Sequence, residues 1–340
     1  MKLKSEYYQR WKSLLFGFGT ITLTGCYASA TFVTSSPVNA QIVPDNTLPI
    51  NSSVTPGCTA CTIEGGTVRG SNLFHSFRQF SIPTGGEAFF NNPTSIENIF
   101  TRVTGNSISN IDGLIRANGT ANLFFLNPNG IFFGKNATLN IGGSFIATTA
   151  NAIGFGNQGF FNVTLANSPG LLTIDPSALL FNQVKAGSIH SQSIAPAGLD
   201  PAGYPTYGLR VANGNSLLLV GGDINIDGLE FRDPPTGNIS PGVNGNRGGL
   251  KAFGGRVELG GLAGIGSIGL EVNGKEVNLS FPNDVALADV SLTNKAEVNV
   301  RAVSGGNITV NAHNIDMSGS SQLMTGIALN LGSPQSRDLA

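Results

Sequence analysis

A short motif recurs from residue 221 onward, in which a turn is followed by apolar residues that alternate with polar ones. It reads GGDINI, GGRVEL, GKEVNL, KAEVNV and GGNITV. Alternation with a period of two is typical of a β-strand that buries one face. Val257, Val277 and Val298 follow one another after 20 and 21 residues, a repeat that suits one coil of a β-solenoid. We therefore expect these valines to stack as one internal ladder.

The composition favours an all-β fold. Charged residues make up 11% of the 340 residues and glycine occurs 46 times, whereas an ordinary soluble domain is about 25% charged. Glycine tolerates the positive φ of tight turns, and β-branched residues suit a pleated strand. Two Pro- and Gly-rich stretches, residues 196–216 and 231–249, are expected to project as loops from the solenoid wall.

The charge balance argues against nucleic acid as a partner. The chain has 19 basic and 20 acidic residues and a net charge of −1. Such a chain has no strong positive field to attract a phosphate backbone. We expect neither nucleic-acid binding nor a small-molecule cofactor.

The N-terminus is typical of an export signal. Basic residues precede an apolar run over residues 13–25, which is followed by small residues. The run is shorter than the about 20 residues that span a bilayer. Cleavage between Ala40 and Gln41 is expected, while cleavage after Ala30, lipidation at Cys26 and an uncleaved anchor remain open.

Few residues suggest a chemical site. Cys58 and Cys61 form a C-x-x-C pair within a turn followed by a strand, which favours a small local disulfide or free thiols over a redox or zinc site. His75, His190 and His313 are far apart and lack metal-ligand spacing, and His75 is expected to be structural. The sequence GIGSIG at residues 264–269 has the G-x-G-x-x-G pattern of a dinucleotide-binding motif. The helix that must follow such a motif cannot form here, so we do not predict a dinucleotide site. We expect coil turns at residues 264–269. We expect no metal site.

The densest signal lies between residues 70 and 150, in the segments GSNLFHSFRQF, RVTG, IDGLIRANG, ANLFFLNPNGIFFG and LNIGGSFIATTA. These segments resemble the N-terminal secretion (TPS) domain of filamentous-haemagglutinin-like exoproteins of two-partner secretion, in the form common in filamentous cyanobacteria. The resemblance covers about residues 41–270. It implies an all-β fold, a right-handed parallel β-helix (a single-stranded β-solenoid) with extra-helical hairpins and loops. It also implies an outer-membrane β-barrel transporter whose periplasmic domains recognise this domain.

The motif Asn127-Pro128-Asn129-Gly130 is expected to be a type I turn between two strands, because proline presets φ at its second position. The resemblance associates this motif, with Ile131, with secretion or transporter recognition. The alternative is that the motif holds the fold while recognition occurs elsewhere.

The sequence thus predicts a signal peptide at residues 1–40, a secretion domain at 41–280, and the start of a repetitive β-helix extension, cut short, at 281–340. The predicted product is a non-enzymatic exoprotein, secreted or displayed on the cell surface via the periplasm. Many members of the family it resembles are adhesins, and others are haemolysins or contact-dependent toxins, a difference that this domain alone does not decide. An adhesin is expected, with a host cell, a glycan or another surface as its target. The rival prediction is a β-helix polysaccharide lyase or hydrolase using acidic residues of neighbouring coils, with Asp223, Asp227, Asp284 and Asp289 as candidates.

Overall fold

Strands dominate the computed structural model, which describes residues 40–164, 170–229, 247–328 and 331. Within these ranges the one helical segment is a 3-10 turn at Gly156–Gln158, and no helix there is long and apolar enough to cross a membrane. The predicted all-β class is confirmed.

The first fifteen strands, in chain order, are β1 (Gln41–Pro44), β2 (Ser52–Ser53), β3 (Ala60–Gly65), β4 (Thr67–Arg69), β5 (Asn72–Ser81), β6 (Glu87–Phe90), β7 (Asn98–Val103), β8 (Ser109–Ile111), β9 (Leu114–Ala117), β10 (Asn122–Leu126), β11 (Ile131–Phe133), β12 (Thr138–Asn140), β13 (Phe145–Thr148), β14 (Ala152–Gly154) and β15 (Phe160–Asn162). The others are β16 (Ala178–Phe181), β17 (Ile189–Ser191), β18 (Pro196–Leu199), β19 (Pro205–Tyr207), β20 (Leu209–Arg210), β21 (Ser216–Gly221), β22 (Ile224–Asp227), β23 (Gly249–Lys251), β24 (Arg256–Gly261), β25 (Gly266–Asn273), β26 (Glu276–Ser280), β27 (Val290–Thr293), β28 (Glu297–Asn299), β29 (Asn307–Asn311), β30 (Ile315–Met317) and β31 (Gln322–Met324).

The chain winds through three faces in turn, which makes it a parallel β-helix. The first face has the strand order β1-β5-β7-β10-β13-β21-β24-β29, and the second has β8-β11-β17-β22-β27-β30. The third face consists of two separate sheets, β2-β3-β6-β9-β12 and β20-β23-β28-β31. Strands from successive coils pair in parallel, as β7 and β10 do. Antiparallel pairing of β1 and β4 with β5 closes the N-terminal end.

Extra-helical strands lie outside these faces, as the resemblance implied. Two insertions, one between β13 and β17 and one between β24 and β27, together form an antiparallel sheet with the order β15-β14-β16-β25-β26. A separate hairpin joins β18 and β19.

The extra-helical sheet creates a second apolar core. The first core fills the interior of the β-helix, and its ladder on the first face comprises Leu73, Ile99, Leu123, Phe145, Leu217 and Val257. The second core lies between the outer surface of the first face and the extra-helical sheet, and it includes Phe74, Phe100 and Phe124 on one side and Phe155, Phe161 and Leu179 on the other. Strands of the first face are therefore covered on both sides, which explains continuous apolar runs such as NLFFL and SLLLV.

The predicted ladder of Val257, Val277 and Val298 is wrong. Val257 pairs with Leu217 and Ile308 on the first face, and Val298 lies on the third face. Val277 lies on β26, outside the β-helix, where it pairs with Val272. The alternation of apolar and polar residues shows only that one side of a strand is buried, not what buries it. Strand β26 alternates because one of its sides packs against the outside of the first face.

The two predicted loops and the predicted coil turns also differ from the structure. Residues 196–207 form the β18–β19 hairpin, and residues 209–210 already belong to the third face. The second predicted loop falls mostly on residues 231–246, which lie outside the described residues. The glycines of GIGSIG from Gly266 onward lie in β25, an extra-helical strand, and not in a coil turn.

Gly261 offers a test of how closely the coils stack. It pairs with Gly221 of the coil below, and a Cβ on Gly261 would lie only 1.5 Å from the Gly221 carbonyl oxygen. The backbone must shift to admit that atom, so we expect Gly261→Ala to lower the free energy of unfolding by about 1–3 kcal/mol. Urea denaturation followed by circular dichroism measures this change in the free energy of unfolding. Gly264→Ala is the control, because nothing lies within 4 Å of its Cβ position, and equal midpoints for both variants would refute the expectation.

Candidate functional site

The NPNG motif forms the corner between the first and second faces. It connects β10 to β11, and the Gly130 N–H donates to the Asn127 carbonyl at 3.2 Å, closing a tight turn. The Asn127 N–H donates to the Thr148 carbonyl of the next coil at 3.0 Å, and the Ile131 N–H donates to the Ser188 carbonyl at 3.1 Å. The corner is therefore tied to the coil above it.

The side chains of the motif tie the corner to the coil below. Nδ2 of Asn127 donates to the Ser107 carbonyl at 3.0 Å and to Oγ of Ser109 at 2.9 Å. Its Oδ1 accepts from the Asn129 N–H at 3.0 Å, an Asx-turn. Nδ2 of Asn129 donates to the Gly105 carbonyl at 2.7 Å. Both asparagines thus hold the turn of residues 104–108 in place.

Little of the motif reaches the surface. Asn127, Pro128, Gly130 and Ile131 are buried and Asn129 is half-buried. From above, Gly187 approaches so closely that a Cβ would lie 2.5 Å from the Pro128 carbonyl oxygen. These residues are packed between two neighbouring turns, and Asn129 is the most exposed of the five.

The two cysteines and the expected cleavage site meet at the N-terminal end. Cys58 and Cys61 are joined by a disulfide, and Cys61 is buried against the interior core. The Ala40 N–H donates to the Cys58 carbonyl at 3.0 Å, and Gln41 opens β1 opposite Ser81. Residues 1–39, with the apolar run, Ala30 and Cys26, lie outside the described residues.

The three histidines lie apart. His75 is fully buried between Phe77 and Phe90, with Nδ1 3.0 Å from Oγ of Ser52, and burial lowers its pKa to about 3. His190 is half-buried beside Phe132, and burial lowers its pKa as well. His313 is exposed. Among the residues that the structure describes, no group of His, Cys, Asp and Glu could hold a metal ion.

The acidic residues considered for a lyase serve mainly in turns. Oδ1 of Asp223 accepts from the Asp289 N–H at 3.3 Å, and Oδ1 of Asp289 accepts from the Asn314 N–H at 3.0 Å. Asp227 accepts from Nδ2 of Asn294, and Asp284 is exposed. The carboxylates of Asp223, Asp227 and Asp289 thus join the turns of adjacent coils.

A buried polar network around Arg102 was not foreseen. Arg102 lies on β7, and its Nε donates to Oγ of Ser76 at 2.8 Å while Nη2 donates to Oγ1 of Thr47 at 2.9 Å. Nη1 donates to the Asn162 carbonyl of the extra-helical sheet. Burial lowers the Arg102 pKa, and the charge of Asp45 raises it. One guanidinium thus connects the N-terminal strands, two coils and the extra-helical sheet.

A ladder of asparagines was also missed. Asn72, Asn98 and Asn122 begin successive strands of the first face at intervals of 26 and 24 residues, and each amide donates to the one before it. They anchor the extra-helical segments, since Asn72 donates to the Leu172 carbonyl and Asn122 to the Gly274 carbonyl. The repeated triplets NLF, NIF and NLF could have revealed this ladder and the true coil length.

The three-faced winding with a strand-capped end defines a β-solenoid protein of the parallel β-helix class. Residues 40–317 match the TPS secretion domain, the domain of two-partner secretion exoproteins, and the chain belongs to this family.

Two solved structures are similar to this chain. The HMW1 secretion domain from Haemophilus influenzae is 19% identical, with a TM-score of 0.46, over 84% of this chain and 64% of that chain. The filamentous hemagglutinin secretion domain is 14% identical, with a TM-score of 0.41, over 86% of this chain and 99% of that one. The chain therefore spans less than two thirds of the HMW1 structure. No curated protein matches it.

Proposed function

We propose that this chain directs the export of an exoprotein through the periplasm and then through a dedicated outer-membrane β-barrel transporter, whose periplasmic domains bind it. The observation that carries the proposal is the family match over residues 40–317. Residues 1–40 serve as the signal peptide, cleaved between Ala40 and Gln41, and residues 41–280 as the secretion domain. Residues 281–340 begin a β-helix extension, since strands β27 to β31 continue the existing faces.

The physical properties of the chain support passage through a narrow pore. Only 11% of the residues are charged, and the Cys58–Cys61 disulfide closes a loop over three positions, which an unfolded chain can carry through. Each coil that forms outside adds a rung of hydrogen bonds and buried side chains to its neighbour. Folding on the far side therefore makes the outward step favourable.

We further propose that the exported product is an adhesin, displayed on the cell surface or released. The resemblance to filamentous-haemagglutinin-like exoproteins supports this role, with a host cell, a glycan or an abiotic surface as its target. No catalytic step is part of the proposal.

Transporter dependence is tested by expressing the full chain with and without an outer-membrane transporter of the two-partner secretion type from the same genome. With the transporter, protease added to intact cells should digest the chain or the medium should contain it. Without the transporter, the chain should remain in the periplasm and be degraded. Surface exposure at equal levels in both strains would contradict the proposal.

We propose that the NPNG motif supports secretion by fixing the corner between the first two faces, because most of it is buried. Asn127→Ala removes the hydrogen bonds to Ser107 and Ser109, and Gly187→Ala displaces the same corner from above without altering the motif. Both variants should reduce the secreted fraction several-fold, as immunoblots of medium and periplasm measure. Asn106→Ala, at an exposed position of the turn below, is the control. Loss with Asn127→Ala but full secretion with Gly187→Ala would show instead that the transporter reads the motif directly.

A further inference from the structure

Two successive coils of the third face place a lysine beside an asparagine. Strands β23 and β28 pair in parallel, and Lys251 is the direct partner of Asn299. The preceding residues Leu250 and Val298 are buried in the interior core, so the side chains of Lys251 and Asn299 lie on the outer side of the sheet. Adjacent strands are about 4.8 Å apart, a distance that a lysine side chain spans easily.

A glutamate carboxylate contacts both of these side chains. Oε1 of Glu297 lies 3.2 Å from Nζ of Lys251 and accepts a hydrogen bond from Nδ2 of Asn299 at 3.0 Å. One oxygen thus contacts both nitrogens, and it can carry a proton from one to the other. This contact also fixes the orientation of the Asn299 amide, because only the amide nitrogen can donate to a carboxylate.

The side-chain carbonyl oxygen of Asn299 has two donors of its own. Oδ1 accepts from the Arg301 N–H at 3.0 Å and from Nε of Arg301 at 3.4 Å. Donors in this position polarise a carbonyl group and stabilise the negative charge that develops on its oxygen when a nucleophile attacks the carbon. The Asn299 side chain is therefore arranged as an electrophile.

The surroundings of Lys251 favour the neutral amine. Lys251 is 1% exposed, and burial lowers the pKa of its ammonium group, although the charge of Glu297 raises it. The charges of Arg247 and Arg301 lower this pKa further. Burial by itself raises the pKa of Glu297, but the charge of Lys251 and the hydrogen bonds to the carboxylate hold it below its ordinary value. A neutral amine is a nucleophile, and an ionised carboxylate can accept its proton.

We propose that Lys251 and Asn299 form an intramolecular isopeptide bond, which joins two successive coils covalently. Nζ of Lys251 forms a bond to Cγ of Asn299, and the bond between Cγ and Nδ2 breaks. Nζ begins with three protons and keeps one in the new amide. The other two pass through Glu297 to Nδ2, which leaves as an ammonium ion. The reaction needs no oxidant and no other co-reactant.

The bond depends on the folded chain, because Lys251 and Asn299 meet only when their two coils stack. Glu297 and Asn299 line a narrow cleft beneath the β18–β19 hairpin, through which ammonia can leave. Like a disulfide, a covalent link between residues far apart in the chain restricts the unfolded state. The isopeptide bond therefore locks β23 to β28 once both coils have formed.

Peptide mapping of the full chain tests the proposal. The folded protein is purified, denatured and digested with trypsin, which does not cleave after a lysine whose Nζ is acylated. Residues 248–256 and 296–301 should then appear as one branched peptide, lighter than its two arms together by one ammonia. Tandem mass spectrometry identifies the linked residues. Only linear peptides from the folded wild type would overturn the proposal.

Glu297→Gln tests the proton transfer. Glutamine keeps the size of the side chain but cannot accept the proton from Nζ, so the branched peptide should be lost while the circular dichroism spectrum is unchanged. Glu271→Gln is the matched control and should retain the branched peptide, because Glu271 also accepts from the asparagine two positions on but is exposed on β25. An equal yield of branched peptide from Glu297→Gln would overturn the assignment to this triad. If Glu297→Gln fails to fold, the wild-type map alone decides.

Discussion

Replacing Arg102 with leucine should lower the free energy of unfolding by about 3–5 kcal/mol, the usual cost of breaking a buried charged network by removing one partner. The Thr47 and Ser76 hydroxyls and the Asn162 carbonyl would each lose a charged donor, and Asp45 would lose its nearby cation. The loss should be largest in residues 41–48 and 160–163, which the guanidinium holds together. Urea denaturation gives the total effect, and hydrogen exchange locates it.

Arg116→Leu is the matched control for this prediction. Arg116 lies on β9 of the third face. It forms an ion pair with Glu87 and stacks on Phe89, but its side chain is 35% exposed. Exposed ion pairs contribute about 0–1 kcal/mol, so its removal should change the unfolding midpoint little. An equal decrease in the free energy of unfolding for the two variants would contradict the prediction. It would show that the Arg102 network contributes no more to stability than an exposed ion pair does.

Acidification should destabilise the protein through His75. Its pKa is about 3 in the folded chain because burial disfavours the charged imidazole, against 6.5 ordinarily. Between these two values the unfolded chain binds a proton that the folded chain does not, so stability falls as the pH drops. The free energy of unfolding then falls by up to about 1.4 kcal/mol per pH unit. Above pH 6.5 the imidazole is neutral in both states, so His75 no longer lowers the stability.

His75→Gln isolates this effect, because glutamine does not titrate while acidic residues elsewhere titrate in both proteins. The difference in unfolding free energy between wild type and His75→Gln should change steadily from pH 6.5 to about 3. A constant difference for His75→Gln over the same range would show that His75 is already protonated in the folded chain.

The fold class was predictable because it depends on local properties that repeat along the chain. Glycine-rich turns and alternating strands recur, and the NPNG turn lies between two strands, as its proline indicated. The coil length was not predictable from the alternating motifs used for it. Val277 in β26 alternates as Val257 in β24 does, although only Val257 faces the interior of the β-helix.

The asparagine ladder and the Arg102 network depend on contacts between segments far apart in the chain, which the alternation of apolar and polar residues does not indicate. Asn72, Asn98 and Asn122 repeat visibly in the sequence, yet their role in anchoring the extra-helical sheet depends on segments 100 to 152 residues away. In the sequence nothing distinguishes Arg102 from an exposed charged residue of a strand. Its burial results from the insertion that places Asn162 above it.

The amino-acid sequence was sufficient to predict a β-solenoid, because turns and alternating strands are dictated by neighbouring residues. Only the folded chain decided which strands lie in the wall and which cover it from outside. It also decided where the third face is interrupted. These outcomes depend on the surface against which each apolar side chain packs, and residues far apart in the chain supply that surface.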